Sequence, residues 1–205
     1  MDVRGSNPCA PNVRIFIVYA HPSRDSFTRL ALDAFVKGLE SSGHECVVSD
    51  LYEMDFVAEM SEAEYLREAY YRGEEPVAED VRAEHEKINS CDAIAFVFPL
   101  FWSEAPAKLV GWFDRVWTYG FAYGDNREMR TLEKGIALCS AGNTMEYFRE
   151  TGILGALETI LGDRLRFRVK SWELVVLDGT SRETSLREEN MERNLDRAFR
   201  AGADL

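Results

Sequence analysis

The amino-acid sequence predicts an α/β protein with a doubly wound, five-stranded parallel sheet and helices on both faces. Five short runs rich in β-branched and aromatic residues recur along the chain, and a segment with helical spacing of apolar residues follows most of them. The clearest runs are continuously apolar, which is typical of strands buried on both faces. Because each parallel crossover needs a helix, this alternation predicts one sheet with helices packed on either side.

The length and composition indicate a single domain. The chain has 205 residues, 46% of them hydrophobic, which is enough to form one hydrophobic core without disulfide bonds or a structural metal. We assign residues 13–205 to this domain and residues 1–12 to a flexible N-terminal lead-in that lacks the apolar core of a signal peptide. The longest apolar run, Ala93–Trp102, is shorter than the ~20 residues of a membrane-spanning helix, so we expect no stable membrane insertion.

Charge and cysteine usage exclude several classes of function. The 36 acidic residues outnumber the 24 basic ones and give a net charge of −12, which argues against nucleic acid as a partner. The four cysteines, Cys9, Cys46, Cys91 and Cys139, lie far apart and form no CxxC pair. They predict reduced thiols in a cytoplasmic protein and no metal site.

The first two strands flank one helix. The first strand is predicted at Arg14–Ala20, and apolar residues recur at helical spacing from Phe27 to Leu39. The helix is predicted to stop at Ser41–Gly43, because small residues and glycine end helices. The second strand is predicted at Glu45–Leu51.

An acid-rich insert, Tyr52–Asn89, separates the second strand from the third. It holds two predicted helices, Ser61–Arg72 and Val77–Ile88, with a break at Gly73–Pro76. The third strand, Ala93–Phe98, gives the clearest strand signal in the chain.

The second half of the chain repeats the alternation. Pro106 suits the first position of a helix that continues to Trp117, since the N–H that proline lacks has no helical partner there. The remaining predicted elements are a strand at Lys134–Ser140, a helix at Met145–Leu161, a strand at Trp172–Leu177 and an amphipathic helix around Met191–Phe199.

The loop after the first strand is a candidate phosphate site, because ligands of open α/β sheets bind at the carboxyl ends of the strands. The segment His21–Thr28 carries three hydroxyls, an imidazole and a guanidinium at the start of a helix, where free amides favour an anion. It contains neither GxGxxG nor the P-loop motif. The alternative is an ordinary capped helix with Ser23 or Ser26 as N-cap.

The loops after the third and fourth strands complete the candidate site. In Pro99–Pro106 two prolines stiffen a loop with two aromatic residues, which suggests a flat aromatic ligand; alternatively, Phe101 and Trp102 pack on a neighbouring helix or subunit. The small residues of Ser140–Thr144 permit close approach of a ligand to the backbone, or form a simple loop and helix cap. The fold brings all three loops to one edge of the sheet.

Three segments of the chain resemble the flavodoxin-like NAD(P)H:quinone oxidoreductases. They are AHPSRDSFTRLALDAF, FPLFWSEAPAKLVGWFDRVWTYGFAYG and CSAGNTMEYF, of which the second is the most specific. The resemblance implies a homodimer with active sites at the subunit interface and with FAD, or alternatively FMN, as cofactor. It also implies two-electron ping-pong transfer of hydride from NAD(P)H to a quinone or a related small aromatic acceptor.

The resemblance also implies the roles of individual residues. The phosphates of the flavin would be held by His21, Ser26, Phe27 and Thr28. The ring would be lined by Pro99, Leu100, Phe101, Trp102 and Ser103 on one edge and by Ser140, Ala141, Gly142, Asn143 and Tyr147 on its pyrimidine side. The catalytic residues would be Tyr147 and Tyr123, with Tyr123 entering the substrate pocket of the neighbouring subunit.

The chain departs from the family pattern at two places. The histidine that follows the tyrosine in the animal quinone reductases is absent after Tyr147, and Ser103 stands where an aromatic residue is usual. The second departure widens the expected range of acceptors. Two other functions stay open: a flavin-binding ancillary subunit of a membrane transporter with little turnover, and a one-electron carrier of the flavodoxin type. The length of the acid-rich insert, sufficient to reach an adenosine, favours FAD over FMN.

Overall fold

A computed structural model describes residues 12–182 and 185–205 of the chain. The predicted lead-in, with Cys9, therefore lies outside the described residues except for Asn12. Within the described ranges, no helix combines the length and the apolar character needed to cross a bilayer.

The sheet confirms the predicted fold class. All neighbouring strands are parallel, and their order is β2-β1-β3-β4-β5, so the direction of winding reverses between β1 and β3. The strands are β1 (Arg14–Tyr19), β2 (Glu45–Asp50), β3 (Ala93–Pro99), β4 (Leu132–Ser140) and β5 (Val169–Leu177).

The helices agree with the predicted ones except at two positions. They are α1 (Phe27–Ser41), α2 (Glu62–Ala69), α3 (Glu79–Asn89), α4 (Ala107–Val116), α5 (Met145–Glu150), α6 (Ile153–Leu165) and α7 (Leu186–Ala203). The predicted single helix Met145–Leu161 is wrong, because Gly152 adopts a left-handed conformation with φ of 75° and separates α5 from α6. Pro106 has extended backbone and precedes α4 rather than being its first residue.

The strands bury side chains on both of their faces. In β1, Ile15 and Ile17 pack in one cluster with residues of α1 and α7, whereas Phe16 and Val18 pack with residues of α3, α4 and α6 on the other face. The helices thus cover the two faces of the sheet, as a parallel sheet requires.

The acid-rich insert is fastened to α4 by a buried arginine. Arg115 is 5% exposed, and its guanidinium donates to both carboxylate oxygens of Asp80 at 2.6 and 3.0 Å. It also lies 2.7 Å from a carboxylate oxygen of Glu64 and donates to the Val57 carbonyl at 2.7 Å. Residues from both helices of the insert are therefore held against one side chain of α4.

The described cysteines, Cys46, Cys91 and Cys139, are free thiols. Cys139 lies near the carboxyl end of β4, and burial raises its pKa to about 12. A thiol that stays protonated is a poor nucleophile, so Cys139 supplies no reactive group to the nearby loops.

Candidate functional site

The carboxyl ends of the strands open onto two adjoining cavities of about 440 and 630 Å³. Leu100 and Gly142 line both cavities, so the second begins where the first ends. The loops that follow β1, β3 and β4 all contribute to the walls. The structure thus brings together the three loops that the sequence singles out.

Most of the candidate residues line one of these cavities. The first cavity is lined by His21, Ser26, Phe27, Thr28, Pro99, Leu100, Phe101, Ser140 and Gly142. The second is lined by Leu100, Trp102, Ser103, Gly142, Asn143 and Tyr147. Two candidates, Ala141 and Tyr123, line neither.

The start of α1 presents unpaired amides to the first cavity. Ser26 is the N-cap, and its hydroxyl accepts a hydrogen bond of 3.0 Å from the Arg29 amide. The amides of Phe27 and Thr28 donate to no acceptor in the described part of the chain. The Thr28 hydroxyl is buried and shares a hydrogen bond of 2.7 Å with the Ser140 hydroxyl, which ties α1 to β4. An anion is favoured beside such a helix start.

His21 adds a neutral hydrogen-bond donor. Its Nδ1 lies 2.9 Å from the Ser23 amide nitrogen and 3.0 Å from the Ser23 carbonyl oxygen, so it accepts from the amide in one tautomer and donates to the carbonyl in the other. Burial lowers the pKa of His21, and the nearby charge of Arg182 lowers it further. The imidazole is therefore uncharged near neutral pH and can still donate one N–H.

The loop after β3 ends in a tight turn with an exposed indole. Phe101 and Glu104 exchange two backbone hydrogen bonds of 2.9 and 3.0 Å, and the two residues between them have positive φ angles of 51° for Trp102 and 67° for Ser103. Trp102 is fully exposed, so it does not pack on a helix of its own chain. Strained turns and exposed large apolar side chains both indicate a surface that binds a ligand or partner.

The loop after β4 offers a second set of unpaired amides. Those of Gly142, Asn143 and Thr144 donate to no protein acceptor among the described residues. At Gly142 a Cβ atom would lie 3.7 Å from the nearest atom, in Ser181, and the side of the residue that faces the cavities is open. A ligand can therefore approach this backbone directly.

Ala141 differs from its expected role. Its amide donates to the Leu177 carbonyl at 2.9 Å, and its carbonyl accepts from Thr180, so neither backbone group can reach a ligand. Ala141 therefore supplies no free backbone amide to the candidate site, because it extends the pairing between β4 and β5. The predicted cap is confirmed at Thr144, whose hydroxyl accepts from the Tyr147 amide.

The two candidate catalytic tyrosines lie apart. Tyr147 is exposed on α5 and lines the second cavity. Tyr123 follows α4, and its hydroxyl donates to a Glu68 carboxylate oxygen at 2.9 Å. Burial and the Glu68 carboxylate raise the pKa of Tyr123 to about 12. Tyr123 is thus held by its own chain as a protonated phenol outside both cavities.

The loop that follows β5 also contributes to the candidate site, although it was not predicted from the sequence. Thr180, Arg182 and Arg187 line the first cavity, and Ser181 lines the second. The sequence contains a signal that could have identified this loop, since it also follows the carboxyl end of a strand and carries arginine. Conversely, no residue of the acid-rich insert lines either cavity. Among the described residues, no group of histidine, cysteine and carboxylate side chains is placed to hold a metal ion.

Comparison with known proteins identifies relatives of this chain by sequence and by overall structure. A family model described as a flavodoxin-like fold matches residues 13–199. An NAD(P)H:quinone oxidoreductase from Methanothermobacter marburgensis superposes with a TM-score of 0.89 at 47% identity, covering 94% of this chain and 96% of that one.

Curated relatives point the same way. NAD(P)H dehydrogenase (quinone) 1 of Rattus norvegicus is 38% identical over 171 residues, with 72% of this chain and 60% of that protein covered. A ribosyldihydronicotinamide dehydrogenase-like protein of Penicillium crustosum is 30% identical over 175 residues, with 73% of this chain and 65% of that protein covered. The chain thus spans less than two thirds of the length of these two relatives.

Proposed function

The chain belongs to the flavodoxin-like NAD(P)H:quinone oxidoreductase family, and we propose that it is a flavin-dependent enzyme that reduces quinones or related aromatic acceptors with NAD(P)H. One observation carries the proposal. The two cavities adjoin at Gly142, and each is bordered by unpaired backbone amides. This arrangement suits a long ligand with an anionic group at one end and a flat, electron-rich ring at the other.

The residues present fit a flavin. The first cavity would hold its phosphates, through the amides at the start of α1, the imidazole of His21 and the guanidinium of Arg182. The second cavity would hold the ring system, with Trp102 and Tyr147 beside it and the backbone of Gly142 against its edge. The absence of a side chain at Gly142 leaves room for that contact.

A bound flavin would supply the redox chemistry, accepting hydride from NAD(P)H and passing two electrons to a quinone, which takes up protons to give the hydroquinone. The chain orients the reactants and stabilises charge. The amides of Gly142 and Asn143 would act as hydrogen-bond donors to negative charge on the pyrimidine edge of the flavin. Because these amides already lack a protein acceptor, the backbone need not reorganise when that charge forms. The hydroxyl of Tyr147 can donate a hydrogen bond to an acceptor oxygen. Ser103 lines the second cavity with a small side chain, which would leave room for acceptors of varied shape.

For the specific flavin we propose FAD, with FMN as the alternative. The length of the acid-rich insert does not support FAD, because the insert lines neither cavity. The support comes instead from Arg182 and Arg187, since two guanidiniums beside the first cavity suit a diphosphate. We also propose a cytoplasmic location, in keeping with the free thiols and the pyridine-nucleotide donor.

Analysis of the flavin released from the purified protein tests the proposal. We expect a yellow protein that releases FAD on denaturation, identified by its mass, and that oxidises more than one equivalent of NAD(P)H per flavin only when a quinone is added. FMN in its place would correct the cofactor and leave the enzyme class intact. A protein that binds flavin without turnover would favour the transporter-subunit alternative, which the named relatives do not support. A colourless protein that cannot be reconstituted with either flavin would overturn the proposal.

We further propose a homodimer in which Tyr123 serves the partner's second cavity. Tyr123 lines neither of the two cavities, and the exposed side chains of Tyr70 and Tyr71 lie on the segment that packs beside the Tyr119–Tyr123 loop. A contiguous exposed aromatic surface of this kind favours a partner, and twofold dimers are the commonest assembly.

Mixed dimers test this arrangement. Subunits with Tyr123→Ala should retain flavin but turn over the acceptor slowly, whereas subunits with Gly142→Val should lose flavin. A hybrid of the two would contain one intact site and one site with both defects. Random mixing in equal amounts should therefore restore about one quarter of the wild-type activity. Inactive hybrids, in a mixture where tagged wild-type subunits exchange freely, would place Tyr123 in its own chain's site, and a monomer would exclude the dimer.

A further inference from the structure

A buried carboxylate lies directly behind the loop whose amides line the cavities. Asp178 follows β5 and is 7% exposed. One of its carboxylate oxygens accepts a hydrogen bond of 3.1 Å from the Met145 amide, at the start of α5. Its other oxygen accepts one of 2.6 Å from Arg193, and Arg197 lies 3.8 Å away. Its charge is thus matched by two arginines of α7.

The backbone around Asp178 is fixed as firmly as its side chain. Its carbonyl accepts a hydrogen bond of 2.8 Å from the side chain of Asn194, which is 1% exposed. The next residue, Gly179, donates its amide to the Asn143 carbonyl at 2.9 Å. Asp178 therefore connects α7 to the loop after β4 through bonds on both of its sides.

These bonds hold the two ends of a short backbone segment. Ala141 is held by its pairing with Leu177 and Thr180, and Met145 is held by Asp178. Between them lie the three amides of Gly142–Thr144, which have no protein acceptor in the described part of the chain. A short backbone segment that is held at both ends keeps its N–H groups in fixed directions. Fixed directions are what preorganised hydrogen-bond donors require.

We propose that Asp178 is a positioning residue that fixes the Gly142–Thr144 amides toward the ring edge of the bound flavin and thereby sets its midpoint potential. The inference rests on the proposed function, because it assumes that the flavin ring lies in the second cavity. Amides aimed at the ring stabilise the electron-rich reduced form more than the oxidised form. Misdirected amides should therefore make the flavin harder to reduce.

Two variants remove the contact in independent ways. Asp178→Ala removes the acceptor, and Met145→Pro removes the donor while leaving Asp178 paired with Arg193. Proline is well tolerated at the first position of a helix, and the preceding residue, Thr144, already has the extended conformation that proline requires, with φ of −82° and ψ of 158°. Asp178→Asn is the matched control, since its amide oxygen can still accept from Met145.

We expect the dissociation constant of the reduced flavin to rise about tenfold more than that of the oxidised flavin in Asp178→Ala and in Met145→Pro, equivalent to a fall of about 30 mV in midpoint potential. Asp178→Asn should not lower the potential. The sign of the change in midpoint potential distinguishes a positioning role of Asp178 from a simple effect of its charge. Removing a carboxylate beside two arginines would by itself raise the midpoint potential of the flavin, whereas misdirected amides would lower it. Ser26→Ala, at the phosphate end, should weaken both redox forms equally and leave the potential unchanged.

The outcomes separate the two proposals. A lower melting temperature with an unchanged potential in both Asp178→Ala and Met145→Pro would make Asp178 a purely structural residue and overturn the inference. A raised potential in Asp178→Ala, together with no change in Met145→Pro, would assign its effect to charge alone. If the wild-type protein bound no flavin, the proposed function itself would fail, and the inference would fail with it.

Discussion

Gly142→Val should abolish flavin retention while the protein remains folded. Gly142 borders both cavities, and a valine there would fill the space where they meet. In the unliganded chain the backbone accommodates an added Cβ atom, which would lie at an ordinary contact distance of 3.7 Å from Ser181, and the substituted residue lies in a loop outside the helices and strands. We expect the dissociation constant of the flavin to rise at least ~100-fold, a loss of about 2.7 kcal/mol. Fluorescence titration of the apoprotein with flavin measures it.

Gly155→Val is the matched control for this variant. Gly155 lies on α6, a Cβ atom there would meet nothing within 4 Å, and the residue lines neither cavity. The control should bind flavin as the wild type does, and both variants should unfold at similar urea concentrations. Normal flavin affinity in Gly142→Val would remove the loop after β4 from the ring-binding site.

The fold was predictable where burial alone determines local structure. The central strand β3 is buried along its whole length, so its apolar run marks it from sequence. The edge strand β5 begins at Val169, three residues before the predicted start at Trp172. Its first residues include Lys170 and Ser171, whose exposed side chains an edge strand tolerates, so the apolar pattern underestimates the strand.

The helix break after α5 shows another limit of periodicity. Apolar residues continue at helical spacing on both sides of Gly152, and only the left-handed φ of this residue separates the two helices. Glycine can lie inside a helix or just beyond its end, and the sequence alone does not distinguish the two.

The candidate site was predictable in so far as it depends on the rule that ligands bind at the carboxyl ends of strands. That rule located three of its loops. The contacts that complete the site join residues far apart in the chain, such as Asp178 with Arg193 and Tyr123 with Glu68. Such pairs follow from how α7 and α2 pack, and no local pattern in the sequence records this packing.

The acid-rich insert illustrates the same limit, because it lines neither cavity and two of its acidic residues, Glu64 and Asp80, instead pair with one buried arginine. Burial by itself would raise the pKa values of Glu64 and Asp80, but the hydrogen bonds and charge of Arg115 outweigh it and hold both below their usual range. The guanidinium also lies over the ring of Phe56, 5.1 Å from its centroid. Arg115 thus links two helices and a loop of the insert to α4.

Arg115→Met should destabilise the protein by about 3 kcal/mol at neutral pH, because it leaves two partly buried carboxylates without their cation. The cost should shrink as the pH falls below about 4, since carboxylates with depressed pKa values stabilise the folded wild type only while they are ionised. Urea denaturation at pH 7 and pH 3.5 measures both effects. Arg82→Met is the matched control: Arg82 pairs with Glu79 and Glu86 on the exposed face of α3, so its loss should change stability little. The folded fraction of Arg115→Met should bind flavin with wild-type affinity. Weakened flavin binding without loss of stability would instead place the insert in the flavin site.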